Sequence, residues 1–210
     1  MDTINKVKSI SIWIFIVPFV AINTCLILIT NFHELFPNKE HIIHNTIPYI
    51  DGGASISRTA RVFPTYLIFK PAMFLTAYLL IRYWLYIKKI ILNIYGEHKN
   101  LRKILIFGIG SAICLIIHSI FLGIKFDYDL YKLFRRVIML VFIIFEVVAQ
   151  AYLVITLYSI KNKLLSFINL KFLKLKAILV SILVFVMIVS IPIVSMPGNK
   201  HVKHALEWDF

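Results

Sequence analysis

The chain has 210 residues, of which 60% are hydrophobic and 16% are charged, and its mean hydropathy is +0.86. Soluble domains are roughly 45–50% apolar and about 25% charged, so the composition excludes an ordinary soluble domain and also excludes disorder. The formal net charge of +13 would indicate a nucleic-acid partner in a soluble protein. In a chain this apolar it indicates a membrane protein with basic cytoplasmic loops, with the lipid bilayer and not nucleic acid as its partner.

Five apolar runs are long enough to cross a hydrocarbon core, which needs roughly 20 helical residues. The sequence therefore predicts an all-α fold, a polytopic transmembrane helix bundle that forms a single domain over residues 1–210. The predicted spans cover residues 9–30, 64–87, 104–124, 137–160 and 177–196. The second span is the least apolar, because Lys70 and Arg82 interrupt it. The first has a long apolar stretch and no small-residue cleavage site, so we interpret it as an uncleaved anchor.

The basic residues are distributed unevenly between the two sides of the predicted bundle. The N-terminus and the second and fourth loops carry 13 Lys and Arg, against 9 in the first and third loops and the tail. This bias predicts a cytoplasmic N-terminus and places loop 31–63 in the lumen or outside the cell. The basic segment 161–174 is expected in the cytoplasmic interface, where anionic lipids are expected partners. Generic basicity at the membrane surface is the alternative.

Loop 31–63 contains several residues of the types that bind metal ions or form ordered turns. His41 and His44 have i, i+3 spacing, and together with Glu40 they offer ligands for a metal ion. Because this spacing is not diagnostic, we predict no metal site and no cofactor. The following residues, Pro48 to Ala54, contain an Asp and two glycines and predict an ordered turn. They lack the Lys-Ser/Thr of a phosphate-binding loop.

Four polar residues lie within the predicted spans: Lys70, His118, Glu146 and Gln150. Such residues usually face the interior of a bundle and pair. Our hypothesis is that Glu146 contacts Lys70 or His118 and lines a polar cavity. In the alternative, Lys70 reaches the interface and Glu146 is protonated.

Small residues recur on one face of the third predicted span, where they predict close helix packing. The set comprises Gly108, Ala112, Ser119 and Gly123, with Leu115 between them. Cys25 and Cys114 also fall inside spans, and we interpret them as packing residues. The sequence contains no recognisable catalytic motif.

Two stretches carry a family resemblance. Pro48-Tyr-Ile-Asp-Gly-Gly-Ala54 and the later Arg82-Tyr83 resemble the Pro-Tyr-Ile-Ser-Asp-x-Gly loop and following Arg-Tyr of the DNA-damage-regulated autophagy modulator (DRAM) family. The tail, His201 to Trp208, is similar to the His-Val-x-x-Ala…Glu-Trp stretch that opens that family's last helix. The wider superfamily includes an FGF-receptor-activating protein and GPI-lipid-remodelling factors. The serine before the aspartate is missing here, and the family's usual sixth helix would follow Trp208. Either the sequence is a fragment, which we expect, or this protein has five spans.

The resemblance implies an endomembrane protein, of the lysosome or Golgi, linked to autophagy or to GPI-anchor handling. The residues that match the family motifs are Pro48, Asp51, Gly52, Arg82, Glu207 and Trp208. No catalytic residue can be transferred. We expect Asp51 and Glu207 to meet on the lumenal side, near His44 or His204, although turn formation and helix capping explain the same residues.

Three functions follow as hypotheses. The first is a non-enzymatic membrane regulator or scaffold that contacts other membrane proteins. The second is participation in GPI-anchor or membrane-lipid remodelling at the lumenal leaflet. The third is transport of a small solute or ion.

Overall fold

The computed structural model describes residues 2–39, 42–43, 46–124, 129–164, 169–195 and 200–209. Within these ranges every regular element is helical, which confirms the predicted all-α class. Five helices are long: α1 (Asp2–Asn31), α4 (Tyr66–Ile94), α5 (Leu101–Phe121), α6 (Asp129–Ser159) and α8 (Leu170–Ser195). Four are short: α2 (Pro48–Asp51), α3 (Ile56–Ala60), α7 (Lys161–Leu164) and α9 (Lys200–Asp209). A single 3-10 turn occupies His33–Leu35.

Four helical segments are long and apolar enough to cross a bilayer: Thr3–Asn31, Leu101–Phe121, Leu133–Ser159 and Leu170–Ser190. They define a multi-pass membrane protein. The helix α4, which contains the second predicted span, is not among the four. It is 29 residues long, but Lys70, Arg82 and two further lysines near its end reduce its hydropathy.

The long helices form a bundle in which sequence neighbours pack together. Helix α4 packs between α1 and α5, α6 packs on α5, and α8 packs on α6. Ile10 near the start of α1 packs with Ile91 near the end of α4, whereas Cys25 near the end of α1 packs with Phe69 near the start of α4. Neighbouring helices are therefore antiparallel, and the bundle has two distinct ends. We call the end with the first loop the loop end and the opposite end the basic end.

Two apolar cores fill the bundle. One lies towards the loop end, around Phe69, Met73 and Leu115, and the other lies towards the basic end, around Trp84 and Leu153. A smaller third cluster lies under the first loop: Ile29, Phe36, Ile43 and Ala54.

Small residues of α5 allow close helix contacts, as their spacing predicts. Gly108 lies directly against the indole of Trp84, so that a Cβ atom there would overlap the ring. Ala112, Leu115 and Ser119 are also buried on this face. Gly123 is not part of it, because α5 ends at Phe121 and Gly123 adopts a positive φ of 87° in the turn that follows.

Candidate functional site

The turn around Asp51 is built by its own carboxylate. Asp51 Oδ1 accepts hydrogen bonds from Thr46 Oγ1 at 2.7 Å and from the Gly53 amide at 2.8 Å, while Oδ2 accepts from the Ile47 amide at 2.9 Å. The proline at the first position of α2 has its preferred place there, and Gly52 ends the helix in the left-handed conformation at φ 58°. The carboxylate is therefore occupied in holding the turn.

The tail helix α9 docks on this turn. His201 Nδ1 lies 3.2 Å from the Asp51 carbonyl oxygen, and His204 Nδ1 lies 3.0 Å from that of Gly52. The indole of Trp208 is buried and donates to the Ala54 carbonyl at 2.8 Å. Its ring meets that of Tyr49 edge to face, with centroids 5.0 Å apart. We call this assembly, residues 46–54 with α9, the loop-end cap.

The cap is connected to the first long helix. The Tyr49 hydroxyl donates to Asn23 Oδ1 in α1 at 3.1 Å. Gly52 contacts the His201 backbone so closely that any Cβ atom would overlap its carbonyl group. The residues that join the turn to α9 are thus constrained by backbone contacts as well as by side chains.

The structure brings together four of the six motif residues: Pro48, Asp51 and Gly52 in the turn, and Trp208 in α9. Glu207 lies in the same helix, but its side chain lies outside the described part of the chain, as do His44 and the candidate ligands Glu40 and His41. Arg82 lies far from the cap in α4, where its guanidinium donates to the hydroxyls of Tyr78 and Tyr86.

The environment of Asp51 favours its charged form. Hydrogen bonds from Thr46, Gly53 and Ile47, in that order, lower the pKa of the carboxyl below its ordinary value. Asp51 therefore stays ionised to a lower pH than an ordinary aspartate does.

A second polar group lies inside the bundle, around Glu146 in α6. Its carboxylate accepts from Ser111 Oγ at 2.7 Å and from Gln150 Nε2 at 2.9 Å. The indole nitrogen of Trp84 is buried beside the same carboxylate and interacts with it. Glu146 lies about 20 Å from the Ser159 end of its helix at the usual rise per residue.

Lys176 of α8 supplies the positive charge of this group. It is close enough to Glu146 for their charges to interact, and its Nζ donates to the Tyr83 hydroxyl at 3.4 Å. The cluster of Glu146, Gln150, Ser111, Tyr83 and Lys176, which we call the buried carboxylate cluster, therefore joins α4, α5, α6 and α8. Sequence reasoning missed Lys176, because we assigned it to a cytoplasmic loop.

The two predicted partners of Glu146 lie elsewhere. Lys70 Nζ donates to the Ile120 carbonyl at 3.3 Å and lies 5.8 Å from the centre of the Tyr66 ring. His118 lies beside Arg135 near the loop end. The hypothesis that Glu146 pairs with Lys70 or His118 is therefore wrong. Both residues are close to the loop end of their helices, whereas Glu146 lies deeper and meets a cation from the opposite end.

The described residues contain no group of three or more His, Cys, Asp or Glu placed to hold a metal ion. Cys25 is buried and packs against the start of α4, where its Sγ lies 3.4 Å from the Thr65 carbonyl oxygen.

Comparisons with protein-family models, with curated proteins and with solved structures find no match to this chain. The fold and the site together define an all-helical, multi-pass membrane protein with a capped loop end and a buried carboxylate.

Proposed function

We propose that the protein is an integral endomembrane protein that acts as a non-enzymatic regulator or scaffold, in the manner of the autophagy modulators it resembles. The proposal rests on one observation, which is that the motif residues of the turn and of α9 hold the loop-end cap together. The Asp51 carboxylate accepts three internal hydrogen bonds, and the Trp208 indole is buried against the turn. These internal contacts hold the loop-end cap in one shape. A surface that binds another protein requires such a fixed shape.

We further propose that α4 is a fifth span. Helices α2 and α9 touch, so they lie on one side of the membrane. The chain between them contains α4, α5, α6 and α8. Four crossings return it to the same side, whereas three would leave the two helices on opposite sides. The packing of α4 between α1 and α5 supports the same conclusion.

The charges support a cytoplasmic basic end. With five spans this end holds 12 Lys and Arg besides Lys176 of the buried carboxylate cluster, but only two acids, Asp2 and Glu97. Its lysines are thus suited to the anionic lipids of the cytoplasmic leaflet. The loop-end cap then faces the lumen or the outside.

Gene deletion followed by rescue tests the proposed role. Autophagic flux is expected to fall on deletion, while the lipidome and the surface display of GPI-anchored proteins stay unchanged. Rescue with the wild-type chain should restore flux, and rescue with a Gly52→Ala variant, whose cap is disrupted, should not. If flux is normal and GPI-anchored proteins or lipids change instead, lipid remodelling replaces this proposal.

Lipid remodelling is the second candidate because an arginine-lined pocket opens beside the first loop at the same end of the bundle.

A further inference from the structure

A pocket of about 270 Å³ lies at the loop end, between the first loop and the turn that joins α5 to α6. Arg61 and Arg135 line it, and Phe36, Val62, Phe63 and Ile124 contribute apolar walls. Its volume is just below the roughly 300–1,000 Å³ of common ligand pockets, so it suits a group of headgroup size.

The two arginines that line this pocket come from separate parts of the chain, and a third arginine, Arg58, lies close to one of them. Arg61 follows α3, and its charge interacts with those of Arg58 and Arg135. Arg135 reaches over from α6 and donates from Nη2 to Ser57 Oγ at 2.8 Å. Partial burial and the two neighbouring cations lower the pKa of Arg61 below its ordinary value. The folded chain thus holds like charges together.

This concentration of positive charge is not neutralised by the side chains that the structure describes. Arg135 Nε is buried and has no hydrogen-bond partner within that part of the protein. His118 also lies close to Arg135, and it is not an acid that could pair with the guanidinium. Bringing arginines together without an acid costs free energy, which an anion in the pocket would offset.

The backbone also shapes the pocket. Gly123, another lining residue, adopts φ 87°, and a Cβ atom placed on it would lie 3.0 Å from the Arg61 carbonyl oxygen. This close approach brings the α5–α6 turn against the segment that carries Arg61. The two arginines are therefore positioned by a backbone contact between separate segments.

We propose that this pocket binds a phosphate group through Arg61 and Arg135. The planar guanidinium fork matches phosphate oxygens in two-point hydrogen bonds. The apolar walls and the position at the membrane surface fit the phosphate of a phospholipid, and a soluble phosphate has the same chemistry. The proposal stands independently of the scaffold role.

Binding is tested on the delipidated full-length protein in a neutral detergent. Native mass spectrometry follows titration with dioleoyl phosphatidic acid, with inorganic phosphate and with dioleoylglycerol, which lacks the phosphate. We expect phosphatidic acid to bind and dioleoylglycerol not to bind. If inorganic phosphate displaces the lipid at equal concentration, the ligand is a soluble phosphate. If it does so only at much higher concentration, the ligand is a phospholipid.

Arg61→Gln is the main variant, since the Arg61 guanidinium makes no hydrogen bond to the described part of the protein and the fold should tolerate its loss. We expect it to weaken binding about 10-fold or more, as loss of a charge-assisted hydrogen bond does. Arg136→Gln, next to Arg135 but outside the pocket, is the matched control and should change binding less than about twofold. Equal binding by the two variants, or no binding of either phosphate probe to the wild type, would overturn the proposal.

Discussion

Gly52 and Gly96 both have positive φ angles, but their surroundings differ. Gly52 has φ 58° and is enclosed by the His201 backbone, whereas Gly96 has φ 91° and open space around it. An alanine at either position suffers the same backbone strain of about 1–2 kcal/mol, but only at position 52 does its methyl group also meet another helix.

Gly52→Ala should therefore destabilise the protein more than Gly96→Ala. We expect the Gly96 variant to lose a few degrees of thermal stability in detergent and the Gly52 variant to lose clearly more. Proteolysis should also cleave α9 faster in the Gly52 variant, because α9 no longer docks. Equal thermal stability and equal cleavage rates of the two variants would show that α9 does not pack on the turn.

The Asp51 carboxylate gives the cap a defined pH dependence. Its pKa is lower in the folded protein than in an unfolded chain, so the stabilisation is present above an unfolded pKa of about 3.9. It is lost as the pH falls below that value towards the folded pKa.

Hydrogen exchange of the segment around Asp51 is thus expected to stay slow from pH 7 to about pH 4.5, after correction for intrinsic rates, and to accelerate below pH 4. Asp51→Asn should raise the exchange at neutral pH and abolish the acid-dependent step. An unchanged acid step in the variant would assign the pH dependence to another group.

At the scale of helices, α8 packs less extensively against the rest of the bundle than the other long helices do. It packs mainly on α6, and Lys176 adds a polar link to Tyr83 of α4 and an electrostatic one to Glu146. Removing one charge from such a pair leaves the other unpaired in an apolar environment, at a cost of about 3–5 kcal/mol.

Glu146→Leu and Lys176→Leu should each destabilise the protein strongly, and the double variant should be more stable than the sum of the two effects predicts. A double-mutant cycle on thermal unfolding in detergent measures the coupling. Lys174→Leu, an exposed position in the same helix, is the control and should have little effect. Additive single effects would mean that the two charges do not interact.

The sequence predicts the long helices well because an apolar run of this length has few other stable structures in a membrane. All five predicted spans overlap long helices, although α1, α4, α6 and α8 extend beyond them by several residues. The polar segments at those ends continue the helical hydrogen bonding without being apolar, so hydropathy does not reveal them. Gly96 marks the end of α4, where its amide donates to the Leu92 carbonyl at 3.0 Å.

The candidate sites were predicted less completely. The Pro48–Gly52 turn follows from local turn chemistry. The family resemblance led us to expect a contact between Asp51 and Glu207, but not the burial of Trp208 against the turn. The partner of Glu146 depends on which helices pack together, which a single sequence does not specify. In the sequence, Arg61 and Arg135 are indistinguishable from other basic loop residues. They are far apart along the chain, and only the fold brings them together.

For the whole molecule, the five-span arrangement is the central claim, since it places the loop-end cap and the arginine pocket on one side and the basic end on the other. Whether the protein has five spans or four depends only on whether α4 crosses the membrane. If α4 crosses, the exposed residues Lys99 and Asn162 lie opposite to Ile50. If α4 does not cross, all three lie on the same side.

The most direct measurement is labelling of single cysteines with a membrane-impermeant maleimide in sealed vesicles of known orientation. Cysteines are introduced at Ile50, Lys99 or Asn162 in a background with Cys25→Ala and Cys114→Ala. We predict that positions 99 and 162 are labelled from the cytoplasmic side and position 50 only after the vesicles are opened. Labelling of all three positions from the same side would contradict the account.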